Sequence, residues 1–293
     1  MPKSKGMLVY LFFRLFVFLF RIMPFSFIYG LSNFVAFILH RVAGYRLKVI
    51  RGNLRLAFPE MPEPEMKKVI SRFYRNLADL LVESIKGFSL SEKQIRKRFV
   101  VKNPEILIPY YERNKSVIAV TGHTGNWEWG ILAAPLCTDM TCVGLYKPLT
   151  NKRMDNYIKS NRSRNGSHLT SIYVTALSFE RYINKSSLIM MVSDQSPSNI
   201  RKSYWVNFFG KETACLHGAE KYARLYDLPV FYFNVHRVKR GHYEVEFFPV
   251  TDTPNSLPEG EITRKYMQQL EEYIRRNPSS WLWSHRRWKH SRS

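Results

Sequence analysis

A histidine and a carboxylate lie close together in the segment GHTGNWE, residues 122–128. His123 and Glu128 are five positions apart, and on one α-helix this spacing would turn them about 140° away from each other. The spacing is therefore wrong for the paired ligands of a helical zinc site. On a turn from a strand to a helix, Gly122 and Gly125 would let the backbone fold tightly. Glu128, in the first helical turn, could then reach back to His123.

A carboxylate that accepts a hydrogen bond from one imidazole nitrogen fixes the tautomer and stabilises the imidazolium. The other ring nitrogen is then free to take a proton from a hydroxyl group. The chain has no G-x-S-x-G segment, so the pattern favours direct attack by a substrate hydroxyl over an acyl-enzyme intermediate. The alternative is a structural role, in which His123 is buried and hydrogen-bonded in the core beside a glutamate that caps a helix. On the residues alone, both interpretations stay open.

Three further polar residues are candidates for substrate binding. Arg164 could bind a phosphate group or a developing oxyanion, although a solvated surface arginine is an equally ordinary interpretation. Asp194 follows an apolar run and could orient Arg164 or cap the next turn. Asn126 lies three residues after His123, where shaping the turn is the simpler role.

Strand and helix patterns alternate along the middle of the chain. Residues 116–120, 141–146 and 187–193 predict strands, and His123 and Asp194 lie just after the first and the last of these runs. The alternation predicts an α/β fold with a mainly parallel central sheet flanked by helices. Sites in such sheets gather at the carboxyl ends of strands, which favours a site at these two residues. Helices are predicted over residues 65–87, 151–161, 215–226 and 261–276, and a hairpin over 230–248.

The N-terminus is hydrophobic. Residues 7–20 are interrupted only by Arg14, and residues 22–39 carry no charge. Arg14 and Arg21 are seven positions apart, which puts them on the same face of a helix. The segment predicts membrane attachment, either as a helix that lies in the interface or as a single span.

The chain divides by composition into two parts. We predict a hydrophobic N-terminal membrane anchor over residues 1–45 and the α/β domain over residues 46–293. The formal charge is +22, from 45 Lys and Arg against 23 Asp and Glu, which implies an anionic partner. The three cysteines are widely spaced and are typical of free thiols in a reducing compartment.

Five segments occur in an order that resembles a known family, the late (secondary) acyltransferases of lipid A biosynthesis, within the lysophospholipid acyltransferase superfamily. The resemblance covers most of the chain, and the hydrophobic N-terminus precedes it. The segments are GHTGNWE at 122–128, NRSRNG at 161–166, SDQSP at 193–197, VNFFGKETACLHG at 206–218 and YIRRNPSSWLWSHRRWK at 273–289.

The resemblance implies a glycerolipid-acyltransferase-like fold and an enzyme of the inner membrane with its catalytic domain in the cytoplasm. It implies that the acyl group comes from acyl carrier protein and that the acceptor is a hydroxyl of a lipid A precursor. No cofactor and no metal are implied. His123 would be the general base and Glu128 its partner. Asp194 and one arginine occupy positions near the family's active site. The arginine is Arg162 or Arg164, because this chain has Arg164-Asn165-Gly166 where the family usually has Arg-Gly.

Two groups of aromatic residues have open interpretations. Phe208 and Phe209 could line an acyl groove or belong to the ordinary core. Trp281, Trp283 and Trp288, beside several basic residues, look like an interfacial belt, or a surface that stacks on nucleic acid.

The rival functions follow from the same features. An acyltransferase for another membrane lipid, such as an aminolipid or a glycosylated phospholipid, would need the same residues. A basic, membrane-associated nucleic-acid-binding protein would explain the charge, but the hydrophobic N-terminus and the absence of the usual nucleic-acid-binding motifs weigh against it. We therefore expect membrane lipid, and no nucleic acid, as the partner.

Overall fold

The computed structural model describes residues 3–292, with side chains from residue 6 onward. The helices are α1 (Lys3–Ile22), α2 (Phe25–Phe37), α3 (Leu47–Ala57), α4 (Glu63–Gly87), α5 (Glu92–Arg98), α6 (Ile108–Glu112), α7 (Trp127–Ala133), α8 (Lys152–Arg162), α9 (Thr175–Tyr182), α10 (Gly218–Tyr226) and α11 (Glu261–Arg276). A π-helical turn, Ile38–Val42, continues α2. The strands are β1 (Phe99–Val101), β2 (Val117–Thr121), β3 (Thr141–Tyr146), β4 (His168–Ser171), β5 (Ser187–Val192), β6 (Tyr204–Phe208), β7 (Lys211–Cys215), β8 (Val230–Lys239) and β9 (His242–Thr251).

Seven strands form the central sheet, in the order β1-β9-β8-β2-β5-β3-β4. The pairs from β8 to β4 are parallel, and β9 runs antiparallel to β8. The predicted α/β fold with a mainly parallel sheet is confirmed, and so is the hairpin. Its turn holds Gly241 at φ +68°, a left-handed conformation that glycine adopts without strain.

The core lies on both faces of the sheet because β2 alternates its side chains between them. Ile118 and Val120 face a cluster built with α4, α10 and α11, whereas Val117 and Ala119 face a cluster built with α5 and α7. All four side chains are fully buried. Burial on both faces explains why the sequence of β2 is an apolar run and does not alternate with polar residues.

The strands that the sequence did not indicate are the short and peripheral ones, β1, β4 and the β6–β7 hairpin. The prediction of an interfacial tryptophan belt is wrong, since Trp281 and Trp283 are almost fully buried. Phe208 and Phe209 are also buried and pack with these tryptophans in one aromatic cluster. Both phenylalanines therefore belong to the core. The C-terminal segment thus closes one side of the α/β domain.

The two N-terminal helices pack against α4. Phe20, Ile28 and Val82 form a buried cluster between them. The Lys86 ammonium donates hydrogen bonds of 2.7 to 3.1 Å to three backbone carbonyl oxygens at and just beyond the end of α1. These are carbonyls that a helix leaves without an internal partner, and their partial negative charge favours a cation.

The opposite side of α1 and α2 is apolar and open. Residues Phe25–Val42 form one helix long and apolar enough to cross a membrane, with 17% of this stretch buried in the protein. An exposed apolar surface of this extent marks a site of interaction with a membrane or another protein. Its large side chains are Leu8, Val9, Leu11, Phe12, Leu15, Phe16, Phe18, Ile22, Phe27, Phe34 and Phe37.

Candidate active site

The pairing of β2 with β5 brings His123 and Asp194 together. Thr121 and Val192 are partners at the ends of these parallel strands, and the Ser193 amide extends the pairing with a 2.9 Å hydrogen bond to the Thr121 carbonyl. His123 and Asp194 each lie two residues beyond the ends of their strands. Neighbouring parallel strands end at the same edge, so the two side chains project into the same space.

Two glycines shape the turn that carries His123. A Cβ atom on Gly122 would lie 2.7 Å from Leu270 Cδ1 and 3.2 Å from an Asp194 carboxylate oxygen. Gly125 has φ +55°, and a Cβ atom there would lie 2.3 Å from the Val235 carbonyl oxygen. A larger residue at Gly125 would collide with backbone, and one at Gly122 would force the Leu270 side chain to shift. The predicted tight turn between a strand and a helix is therefore confirmed.

Asp194 is the carboxylate that holds the imidazole. The His123 Nδ1–H group donates to Asp194 Oδ1 at 2.5 Å. The other oxygen, Oδ2, accepts from the His123 backbone N–H at 2.8 Å and from Trp281 Nε1–H at 2.7 Å. Three donors around one buried carboxylate leave it little freedom to move. The ring is thereby fixed with Nε2 turned away from Asp194, and the Gln195 amide nitrogen lies 3.3 Å from that atom.

The ionisation of the pair follows from these contacts. Burial opposes the charge on Asp194, but the nearby His123 and the hydrogen bonds from His123 and Trp281 lower the pKa of this carboxyl group to about 2. Burial alone would lower the pKa of His123, whereas the charge and hydrogen bond of Asp194 raise it, with a further contribution from the charge of Glu128. The raised pKa identifies an imidazole that takes up a proton readily.

Glu128 and His123 do not form the expected hydrogen bond. Glu128 lies in the first turn of α7, and its carboxylate pairs with the Arg162 guanidinium at the end of α8. Nδ1 of His123 is already engaged with Asp194. Glu128 is close enough for its charge to raise the pKa of His123. It therefore acts on the ring electrostatically, with no hydrogen bond to it.

Arg162 lies beside Glu128, and Arg164 points elsewhere. The Arg164 guanidinium donates to the carbonyl oxygens of Gly87 and Leu90 and to Asn161. Its hydrogen bonds therefore tie the end of α4 to the loop after α8. Arg162 contacts Glu128 instead.

The structure also corrects the prediction that Asn126 binds substrate. Its side chain is fully buried and caps α7 by accepting from the Trp129 N–H at 3.1 Å. Its amide group donates to the buried Glu83 at 2.8 Å. Both ends of the side chain are thus used inside the protein, where they fix the start of α7.

The side chains at this edge line two clefts. One, around the His123 ring, is lined by His123, Trp127, Leu77, Leu80 and the backbone turn at Ser279–Leu282. The other begins at Glu128 and Arg162 and runs between β3, β5 and α7. The walls of the second cleft are mainly apolar, as a hydrocarbon chain requires. They include Ile131, Leu145, Leu169, Met190, Met191 and Phe233.

Three residues of the site escaped the sequence analysis. Trp281 and Gln195 contact the His123–Asp194 pair, and His285 Nε2 accepts from the Ser196 N–H at 3.0 Å. Gln195 lies beside Asp194 in SDQSP, so its proximity could have been expected. Trp281 and His285 lie about ninety residues farther along the chain, and only the packing of the C-terminal segment reveals them. Within residues 3–292, no group of three or more His, Cys, Asp and Glu side chains is arranged to hold a metal ion.

Comparison with known proteins matches the sequence to a family. The sequence model described as "Bacterial lipid A biosynthesis acyltransferase" matches residues 3–290. The lipid A biosynthesis palmitoleoyltransferase of Escherichia coli strain K12 is 26% identical over 251 residues, which are 83% of this chain and 79% of that protein. The lipid A biosynthesis lauroyltransferase of the same strain is 24% identical over 275 residues, 91% of this chain and 87% of that protein. The chain belongs to the bacterial lipid A biosynthesis acyltransferase family.

Proposed function

We propose that the protein transfers a fatty acyl group from acyl carrier protein to a hydroxyl group of a lipid A precursor at the cytoplasmic face of the inner membrane. The observation that carries the proposal is the His123–Asp194 pair at the carboxyl ends of β2 and β5. It leaves one imidazole nitrogen beside a cleft, with a second, apolar cleft next to it.

In this mechanism His123 Nε2 removes the proton of the acceptor hydroxyl as the oxygen attacks the donor thioester carbonyl. Asp194 keeps the proton on Nδ1 and stabilises the imidazolium that forms. The tetrahedral intermediate then collapses, the carbon–sulfur bond breaks, and the imidazolium returns its proton to the departing thiolate. The products are the new ester and the carrier thiol. No acyl-enzyme intermediate is needed.

Glu128 and Arg162 act beside the base in this proposal. Their ion pair lies at the mouth of the apolar cleft, where it would orient the thioester as the acyl chain enters. Replacing Glu128 by Gln removes the charge that helps to raise the pKa of His123 and weakens the hold on Arg162. We expect turnover to fall about ten- to a hundredfold, the effect of one charged hydrogen bond, with expression and membrane attachment unchanged.

The matched control for Glu128→Gln is Glu261→Gln. Glu261 also lies in the first turn of a helix and pairs with an arginine, Arg264, on the protein surface. Comparing the steady-state turnover of the two variants distinguishes an effect at the site from the general effect of losing a helix-terminal ion pair. Equal activity in both variants would exclude a role for Glu128 in transfer.

The proposed donor carrier is acidic, and α8 offers it a basic surface. Lys152, Arg153 and Lys159 lie on this helix, which ends at Arg162 beside the apolar cleft. Asp155 is its single acidic residue. Attraction of opposite charges would speed the encounter and make it sensitive to salt.

We propose that residues 1–45 attach to the membrane by lying in the interface, while residues 46–293 form the catalytic domain. One face of α2 is hydrogen-bonded to the α/β domain: Ser32 to Asp79 at 2.5 Å and Tyr29 to Glu83 at 2.9 Å. A helix that crossed the bilayer would carry these carboxylates into hydrocarbon, which is costly. A helix in the interface exposes only its apolar face to lipid.

This orientation predicts that Phe12→Ser/Phe16→Ser weakens membrane binding. Both side chains are about half exposed on α1, so membrane binding removes only their exposed halves from water, and each substitution loses roughly 1 kcal/mol of hydrophobic transfer free energy. Co-sedimentation with anionic phospholipid vesicles measures the change. The control, Leu177→Ser/Leu225→Ser, removes equally exposed apolar side chains from α9 and α10 and should leave binding unchanged. A similar loss from both double variants would contradict attachment through α1.

The function itself is tested by the mass spectrum of total lipids from cells with and without the gene. We expect a lipid A species whose mass differs by one fatty acyl unit, and the difference gives the length of the donor chain. A purified enzyme that transfers the acyl group from acyl carrier protein in vitro completes the test. Unchanged lipid A together with a change in another lipid class would refute the proposed acceptor.

A further inference from the structure

A third cleft, rich in arginine, lies between the N-terminal helices and α4. We name it the arginine cleft; its volume is about 720 Å³, within the range of ligand sites. Its basic side chains come from the π-helical turn, α4 and the β8–β9 hairpin. Its lining comprises Asn33, Ala36, Phe37, His40, Arg41, Ser71, Arg72, Tyr74, Arg75, Asn76, Asp79, Arg237 and Arg240.

The charges of the arginine cleft are unbalanced. Arg237 and Arg240 share the buried carboxylate of Asp79, at 2.5 and 2.6 Å. The other three guanidiniums belong to Arg41, Arg72 and Arg75. In the part of the chain that the structure describes, none of these three has an acidic partner within 4.0 Å. Arg72 and Arg75 are exposed and lie one helical turn apart on α4. Guanidiniums that converge in this way suit a phosphate group, which accepts paired hydrogen bonds.

The arginine cleft opens beside the lipid-facing surface. Phe37, which forms part of its wall, is 55% exposed, and the neighbouring Val42 is 65% exposed. Both lie on the apolar stretch that includes α2. An anionic group can therefore enter while its acyl chains stay in the bilayer.

The arginine cleft also adjoins the catalytic histidine. Asn76 and Arg237 line both this cleft and the cleft around His123. They form the wall between the two, since Arg237 donates a hydrogen bond to Asn76 Oδ1. Asn76 is further held by the Ser279 carbonyl at 2.9 Å. A ligand in the arginine cleft thus lies one layer of side chains from the imidazole.

We infer that the arginine cleft binds a phosphate group of the acceptor lipid and thereby positions the acceptor hydroxyl at His123. The inference rests on the proposed function, and it adds the part of the acceptor that is recognised. Arg72, Arg75 and Arg41 hold the phosphate, while Arg237 and Arg240, fixed by Asp79, supply a permanent positive field. The acyl chains of the acceptor extend along the exposed face of α2.

The test compares two forms of one lipid, a lipid A precursor with its sugar phosphates and the same lipid after the phosphates are removed. Full-length protein in detergent micelles is titrated with each form, and the dissociation constants are compared. The variant is Arg72→Ala/Arg75→Ala. The control is Arg113→Ala/Arg181→Ala, which removes two exposed arginines that precede β2 and β5 at the opposite edge of the sheet.

We expect wild-type protein to bind the phosphorylated form about tenfold or more tightly, as one charged hydrogen bond would give. The Arg72→Ala/Arg75→Ala variant should lose most of this preference, and its KM for acceptor should rise with little change in kcat. A variant that keeps the full preference overturns the inference. So does a rise in the KM for the carrier-linked donor in place of the acceptor, because the cleft would then serve the carrier. If wild-type protein binds but transfers nothing, the proposed function fails, and the binding comparison still decides the inference.

Discussion

We expect His123→Ala to lower turnover at least about a hundredfold, the loss that follows removal of a general base. His123 lines the cleft, and its Nε2, the ring nitrogen that Asp194 leaves unbonded, has the Gln195 amide nitrogen 3.3 Å away. The ring makes no hydrogen bond that supports the fold apart from its contact with Asp194. The defect should therefore appear in kcat, with the KM for acceptor little changed. Initial-rate assays with acyl carrier protein and a lipid A precursor measure both constants.

The control for His123→Ala is His236→Ala. His236 lies on β8 beside Tyr273, exposed and outside the clefts at the site. The His236 variant should retain wild-type turnover, and circular dichroism should show both variants folded. Wild-type turnover by a folded His123→Ala protein would end the proposal that this imidazole is the base.

The ends of β2 and β5 show how much of the fold and of the site could be predicted from the sequence. The apolar runs before His123 and Asp194 indicate buried parallel strands, and the glycines around His123 indicate a tight turn. These features are local, so the sequence carries them. The identity of the carboxylate on Nδ1 is different, because it depends on β2 and β5 being neighbours in the sheet. Glu128 is nearer in sequence, but strand order places Asp194 nearer to the ring nitrogen.

The N-terminal helices and the tail show the same limit. The composition of residues 7–39 indicates affinity for a membrane, but it does not show that α2 is hydrogen-bonded to Asp79 and Glu83 on α4. Likewise, tryptophans near basic residues are typical of an interfacial belt and equally of a packed core. Only contacts between distant segments distinguish a belt from a core. Trp281 lies inside the protein, where it donates a hydrogen bond to Asp194.

We expect Asp194→Asn to lower kcat by up to about four orders of magnitude, the loss seen for the corresponding carboxylate in a serine protease triad, and by no more than His123→Ala does. Two donors, the His123 N–H and Trp281 Nε1–H, point at Oδ2, whereas one points at Oδ1. An asparagine satisfies more of them by placing its oxygen in the Oδ2 position. Its NH₂ group then faces Nδ1 and forces the proton onto Nε2. The wrong tautomer results, with no lone pair toward the acceptor hydroxyl.

The pH profile separates this effect from simple misfolding. In wild-type protein the pKa of His123 is raised above 6.5, and a general base must be neutral, so activity should rise with pH through a value above 6.5. In Asp194→Asn the carboxylate no longer raises the pKa, and burial lowers it. The acid limb of the residual activity should therefore shift to lower pH than in the wild-type protein. The double variant His123→Ala/Asp194→Asn should be no slower than His123→Ala alone, because Asp194 acts through the ring. Additive losses, or an unmoved acid limb, would show that Asp194 has a structural role only.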